Sequence, residues 1–270
     1  MSKSLLDVVF ASDKRKNALL LLQDGPKETE KILGFLKTTR KALLPQMKIL
    51  EEHHLVFNYE DTYELTTIGK LLVSKMQSSL KIVELLDSDI DYWGSHRLNF
   101  IPEHLLKKIS QLGKCTVVNP NVQNSFELNK KIVETSYLSR SLFVIAAFYH
   151  PDYFSLCFGL TQKSIDVYTI ISLEILDKLR TEHNERLIEL LKMKHFHLFV
   201  YPQKMEFQGI AFNGHYVLIR LLKNDGNYDS SPVLCSKQSA FEWSKELFEY
   251  YLKDSFPVTK DNLNVQDFSV

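Results

Sequence analysis

The run GPKETEKILGFLKTTRKALLPQMKILEEHHLVFNYEDTYELT, residues 25–66, decides the reading of the fold. Gly25-Pro26 closes the preceding helix, and Glu28 to Leu36 forms a short helix that turns Ile32, Leu33, Phe35 and Leu36 inward. Lys37-Thr38-Thr39 is a polar turn with two candidate N-caps. The helix after it reaches about His53, with Leu43, Met47 and Leu50 at i, i+4 and i+7 on its core side. Leu55-Val56-Phe57 and Thr62 to Leu65 are brief β-rich runs around the polar turn Asn58 to Asp61, so a hairpin is expected. Upstream, Leu5, Leu6, Val9 and Phe10 and then Ala18, Leu19, Leu21 and Leu22 mark two helices. Downstream, Thr66-Thr67 caps another, which carries Ile68, Leu71, Leu72 and Met76 and runs on through Leu80, Val83 and Leu86. That order of elements over residues 1–78 is a winged helix-turn-helix.

Residues 79–112 read as a helical linker and dimerisation segment, with Leu71, Leu72, Met76, Leu80 and Val83 free to meet a second copy. From 113 to 255 β runs alternate with helices, and the runs at 142 and 165 are apolar at nearly every position, as in strands covered on both faces. Residues 256–270 read as a flexible tail. The fold class is therefore α+β: an N-terminal winged helix-turn-helix joined by helices to a C-terminal α/β sheet domain.

In 270 residues, 33 Lys plus Arg balance 33 Asp plus Glu, which excludes a histone-like or polyanionic chain. The N-terminus lacks a secretory pattern and no apolar run approaches the roughly 18 residues of a membrane span. A cytoplasmic protein is expected, and Cys115, Cys157 and Cys235, far apart and without a CxxC pair, read as three reduced thiols.

Zero net charge hides a local imbalance: residues 25–50 hold six basic side chains against two acidic ones. Lys41, Pro45 and Lys48 fall on the outer face of the helix after the turn, the face a recognition helix offers to the major groove. Arg40 is the candidate for a bidentate guanine contact; Thr38, Thr39 and Gln46 are candidates for adenine edges or phosphates, and Lys41 and Lys48 for the backbone. At the acidic wing tip only Tyr59 can donate to a phosphate. Pro45 implies either a kink or a helix whose regular part starts near Leu44.

Metal and hydrolytic chemistry find no support. His195 and His197 share a strand face without a third ligand, none of the nine His is followed two residues later by Lys, and GxSxG, P-loop, GxGxxG and HExxH are missing. No cofactor or metal is expected. Ligands in α/β sheets bind beyond the carboxyl ends of strands, so Tyr149, His150, Tyr153 and Thr169, placed where β runs end, are candidates for a small-molecule effector pocket.

Taken together, Ser4 to Asp7, Asp13 to Asn17, Leu44-Pro45-Gln46-Met47-Lys48, Tyr63 to Thr66 with Ile68-Gly69-Lys70, Asp91-Tyr92-Trp93 with His96, and Glu242-Trp243 to Tyr250-Tyr251 resemble the methanogenesis regulatory proteins, arsenic-repressor-like winged helix-turn-helix regulators of methanogenic archaea. The resemblance implies a cytoplasmic, dimeric transcription factor on double-stranded DNA, controlling methanogenesis or methyl-transfer genes. It also implies a C-terminal part similar to a phospholipase D-like sheet domain, here without its catalytic His-x-Lys, and it favours a true kink at Pro45. Two rival readings stay open: a phospholipase D-like phosphodiesterase, and an interaction scaffold that no longer binds DNA.

Overall fold

The computed structural model describes residues 4–119 and 127–263. The chain divides into two compact units, Met1–Lys81 and Ile82–Val270.

In the first unit, helices α1 (Leu5–Phe10) and α2 (Asp13–Leu21) precede strand β1 (Lys27–Glu28), helices α3 (Thr29–Leu36) and α4 (Arg40–Glu52), and the hairpin β2 (Val56–Tyr59) and β3 (Thr62–Leu65). Helix α5 (Thr67–Leu86) carries the chain into the second unit. Ser4 and Ser12 cap α1 and α2 by accepting from Asp7 N and Arg15 N. Lys37 ends α3 in the left-handed region, φ 47°, and so turns the chain into α4. The core collects Leu19, Ile32, Leu43, Met47, Leu50, Leu65 and Val73, so the apolar stripes of all these elements meet in one place. A Cβ at Gly69 would lie 2.1 Å from the carbonyl oxygen of Leu55, so only glycine lets α5 approach the start of the hairpin this closely.

Helix α4 is continuous from Arg40 to Glu52 with Pro45 inside it, so its regular part does not start near Leu44. Met76 is buried in this unit's own core, and Leu72 and Leu80 pack against it. These three are therefore spent within one chain, and of the expected dimer stripe only Leu71 and Val83 stay exposed, with Ile68 beside them.

The second unit opens with α6 (Ile90–Ser95) and α7 (Glu103–Leu106), then β4 (Cys115–Val117), α8 (Lys130–Ser136), β5 (Ser141–Ala146), α9 (Tyr153–Gln162), β6 (Asp166–Ser172), α10 (Leu173–Glu182) and α11 (Asn184–Leu191). It continues through β7 (Phe196–Tyr201), β8 (Gly209–Phe212), β9 (Val217–Arg220), β10 (Val233–Cys235), α12 (Gln238–Lys253) and β11 (Phe256–Val258). Eight strands form one sheet in the order β11-β7-β6-β5-β8-β9-β10-β4, with β5, β6 and β7 parallel. Alternation along the strands sorts side chains onto two faces. Leu142, Val144, Val167 and Leu198 pack with α9 to α11 on one; Ile145, Ile170, Ile210 and Phe212 pack with α12 on the other. The α+β class expected from sequence is the class observed. Among the described residues no helix is long and apolar enough to cross a membrane.

Three expectations are corrected. The expected linker and dimerisation segment, residues 79–112, is from Leu85 onward part of the sheet domain: Leu85, Trp93, Phe100, Leu105 and Ile109 belong to its core, where Trp243 Nε1 donates to Leu105 O at 2.9 Å and Tyr251 OH to Phe100 O at 2.9 Å. The tail begins as an ordered edge strand, β11 on β7, with Val258 and Leu263 buried; residues 264–270 lie outside the described residues. Only Cys157 is a free thiol among the three cysteines. Cys115 and Cys235 are directly opposed on β4 and β10, with Cα atoms 4.4 Å apart, and form a disulfide across 120 residues of sequence. Burial pushes the Cys157 thiol up to about 12, so it stays protonated and unreactive at neutral pH.

Candidate nucleic-acid interface and ligand cavity

On α4, Leu43, Met47 and Leu50 are buried while Lys41, Leu44, Pro45 and Lys48 are exposed. Thr39 is exposed at the helix N-cap, where its carbonyl accepts from Ala42 N and Leu43 N; Thr38 is partly buried in the turn. Lys37, Lys41 and Lys48 form no ion pair among the described residues and stand in solvent around this face. Lys37 was missed as a candidate, although its place in the turn was legible.

Arg40 does not present a free guanidinium fork. Its Nη2 lies 2.6 Å from Asp61 Oδ1 and its Nη1 3.3 Å from Glu30 Oε1. The reason lies in the wing. The hairpin closes through the two residues Glu60 and Asp61, with φ 47° and 63°, a conformation that usually selects Gly or Asn. Asp61 is held there from the other side: Thr29 N and Oγ1 donate to its carbonyl at 2.9 and 3.0 Å, and Thr29 Oγ1 to its carboxylate at 2.8 Å. The Thr29 hydroxyl first and Arg40 second hold the Asp61 carboxyl below the usual aspartate value. In the free chain Arg40, itself exposed, therefore bridges the wing turn to the start of α4, and a guanine contact would require it to exchange these surface ion pairs for the base.

Gln46 is also engaged within the chain. It is partly buried, and its Oε1 accepts from Arg15 Nη1 at 2.6 Å and from Ser12 Oγ at 3.2 Å. Arg15, buried at 6 % exposure, also donates from Nε to Val8 O and from Nη2 to Asp7 O at 3.1 Å. It thus ties α1, α2 and α4 together and, among the described residues, has no carboxylate partner. Tyr59 is exposed at the end of β2, the one aromatic on the wing turn.

The second unit holds a cavity of about 600 Å³ on the α9 to α11 face of the sheet, and Tyr149, His150, Tyr153 and Thr169 all line it. Thr169 lies inside β6 and not in the loop beyond it; its Oγ1 is 2.7 Å from Tyr153 OH. Burial holds the Tyr153 phenol well above its ordinary value, so this pair is neutral. Tyr149 stacks on His183 with ring centroids 5.2 Å apart, and Asp152 N donates to His150 Nδ1 at 3.1 Å. Sequence reasoning missed Gln208 and Arg220 of the lining; Arg220, a charge closing an otherwise apolar β run, was the available signal. Asp166 accepts from His195 Nδ1 at 2.8 Å, and among the described residues no cluster fit for a metal ion forms.

The first unit is thus a winged helix-turn-helix, and the second an α/β domain with a ligand-sized cavity. The chain belongs to the methanogenesis regulatory protein family: its N-terminal domain model, described as methanogenesis regulatory protein FilR1, N-terminal domain, matches residues 3–84, and its middle-domain model matches residues 125–254. The methanogenesis regulatory protein FilR1 of Methanothrix harundinacea (strain 6Ac) is 22% identical over 261 residues, covering 94% of this chain. The chain spans 58% of that relative's length. Among solved structures, TrmBL2, described as an archaeal chromatin protein with a novel mode of DNA binding, aligns at TM-score 0.43 and 14% identity over 94% of this chain and 97% of its own. The phospholipase D family member Nuc of Salmonella typhimurium aligns at TM-score 0.35 and 11% identity over 48% of this chain and 90% of its own.

Proposed function

We propose that the chain is a cytoplasmic, homodimeric transcriptional regulator that binds double-stranded DNA through its first unit and a small-molecule effector through its second, without catalysis of its own. The observation that carries the reading is the exposed trio Lys37, Lys41 and Lys48, unpaired among the described residues, around the second helix of a helix-turn-helix, with a wing beside it. Unpaired lysines displace counterions from phosphates, which favours a duplex. Thr38 and Thr39 at the helix start would reach base edges or phosphates, and Tyr59 a phosphate from the wing. Ile68 and Leu71 of α5, both more than half exposed, are the apolar surface a second copy would cover. The family name supports methanogenesis genes as targets, and methyl-transfer genes are the alternative.

The test is genomic footprinting followed by fluorescence anisotropy on a recovered duplex. Tight, steeply salt-dependent binding that weakens in a Lys41→Ala, Lys48→Ala double variant is expected. A folded protein with equal, weak affinity for every duplex and no response to that substitution refutes the reading. A second reading, an interaction scaffold, is favoured by the capture of Arg40 and by exposed Phe35 and Leu44 on the helix-turn-helix. It predicts no duplex affinity at low salt.

A further inference from the structure

The cavity in the second unit has a built floor. Ile171, Ala146, Gly209 and Arg220 are cross-strand neighbours in one row over β6, β5, β8 and β9, and Thr169, Val144, Ala211 and Leu218 form the next. Neighbouring positions on this face carry larger side chains such as Val144, Val167, Leu198 and Leu218; at Ala146, Gly209 and Ala211 it steps down, and the space opens above them. Protein interiors rarely keep voids beyond the size of a water molecule, and about 600 Å³ lies within the range of small-molecule sites.

The charges on the lining narrow the ligand. Arg220 is partly buried at the end of the floor row, and among the described residues no carboxylate pairs with its guanidinium. The lining carboxylates Glu127 and Asp152 are exposed. Gln208 is buried beside the floor; its Nε2 donates to Leu221 O and Asp229 O at 2.6 and 2.9 Å, and among the described residues its Oε1 has no partner. A neutral apolar ligand would leave a desolvated guanidinium unpaired. A nucleotide or polyphosphate would set further charges against Leu and Ile walls and near two like-charged carboxylates.

We propose that this cavity binds an amphipathic monocarboxylate, its apolar body on the floor of Ala146, Gly209 and Ala211 and its carboxylate paired with Arg220. A guanidinium is the suitable partner, because its planar fork engages both carboxylate oxygens and is weakly hydrated. This deepens, and rests on, the reading of the second unit as the effector-binding half.

The test uses the full chain with N-phenyl-1-naphthylamine, a neutral apolar fluorophore, as the displaced probe. Dodecanoate is expected to displace it at least tenfold more effectively than dodecanol. Arg220→Met, checked for fold by circular dichroism, should cost dodecanoate at least tenfold and dodecanol less than twofold; Ala211→Phe, which fills the floor, should weaken both. Equal potency of dodecanoate and dodecanol on the unmodified protein overturns the proposal even if no variant folds. Persistence of the gap in a folded Arg220→Met protein overturns it too, as does failure of dodecanoate to displace the probe. Duplex titration of the same preparation addresses the regulator reading separately: a protein that prefers dodecanoate but ignores DNA keeps this ligand class and refutes that reading.

Discussion

The first unit engages its arginines in contacts within the chain and leaves lysines without ion pairs; in the second, Arg220 lines a cavity with no carboxylate paired to it among the described residues. Arg15 and Arg40 hold helix ends and the wing turn in place, while Lys37, Lys41 and Lys48 stand unpaired in solvent. Arg220 sits partly buried on an apolar floor and, among the described residues, has no carboxylate partner. The difference teaches what each surface is suited to meet. Hydrated point charges on long stems follow an irregular line of phosphates without demanding geometry, whereas a poorly hydrated fork in a cavity selects one planar anion.

Four experiments would break or sharpen this contrast. The largest effect is expected from reducing the Cys115–Cys235 bridge, which closes a loop of 120 residues in the second unit. Its loss should cost that unit about 2–4 kcal/mol. Trp93 and Trp243, the two tryptophans of the chain, are both buried there, so their fluorescence in a denaturant titration reads this unit alone. A tryptophan transition indifferent to reductant would show that the bridge contributes nothing.

Next, Arg15→Met should cost the first unit about 3 kcal/mol, since the buried Val8 carbonyl and the part-buried Asp7 O and Gln46 Oε1 lose a charged donor. Hydrogen exchange of α1 amides in the full chain measures it. Weakened DNA binding without faster exchange would move Arg15 to the interface and erase the division between engaged arginines and unpaired lysines.

Third, Lys41→Ala with Lys48→Ala should lower the salt slope of duplex binding by about two ions, one per lost phosphate contact, with stability unchanged. A slope equal to that of the unmodified protein would place the electrostatic surface elsewhere.

The smallest effect concerns the wing clamp. Because Thr29 and Arg40 lower the Asp61 pKa in the folded chain, the clamp's contribution is fully present above the ordinary aspartate value of 3.8 and fades as pH falls through the lower folded value. Amide exchange at Glu60 to Thr62, corrected for intrinsic rates, should therefore be flat between about pH 5 and 7. Asp61→Asn should speed it locally at all these pH values. Exchange accelerating already near neutrality would mean that another group holds the turn.

Most of the architecture was legible because periodicity reports burial. Leu43, Met47 and Leu50 on α4, the apolar runs of β5 and β6, and the α12 stripe with Trp243 and Leu247 all face inward as their spacing requires. The cavity residues Tyr149, His150 and Tyr153 were found by a rule of topology, the position of loops at strand ends, which needs only element order. Periodicity was silent where a polar side chain had to choose a partner. Arg40 and Gln46 sit on an outward or half-outward face, yet Asp61, 21 residues away, and Arg15, 31 residues away, claim them. Residues 79–112 misled for a related reason: an amphipathic helix looks alike whether a second copy or a distant part of its own chain covers it.

The amino-acid sequence by itself determined the order of elements, the winged helix-turn-helix and sheet pattern, and the basic outer face of α4, because these follow from local propensity and from the periods of helix and strand. Only the tertiary structure decided which cations remain unpaired, that Cys115 meets Cys235, and that Ala146, Gly209 and Arg220 share a row beneath a cavity. Each of these depends on contacts between residues far apart in the chain, and no local pattern encodes which distant strand becomes a neighbour.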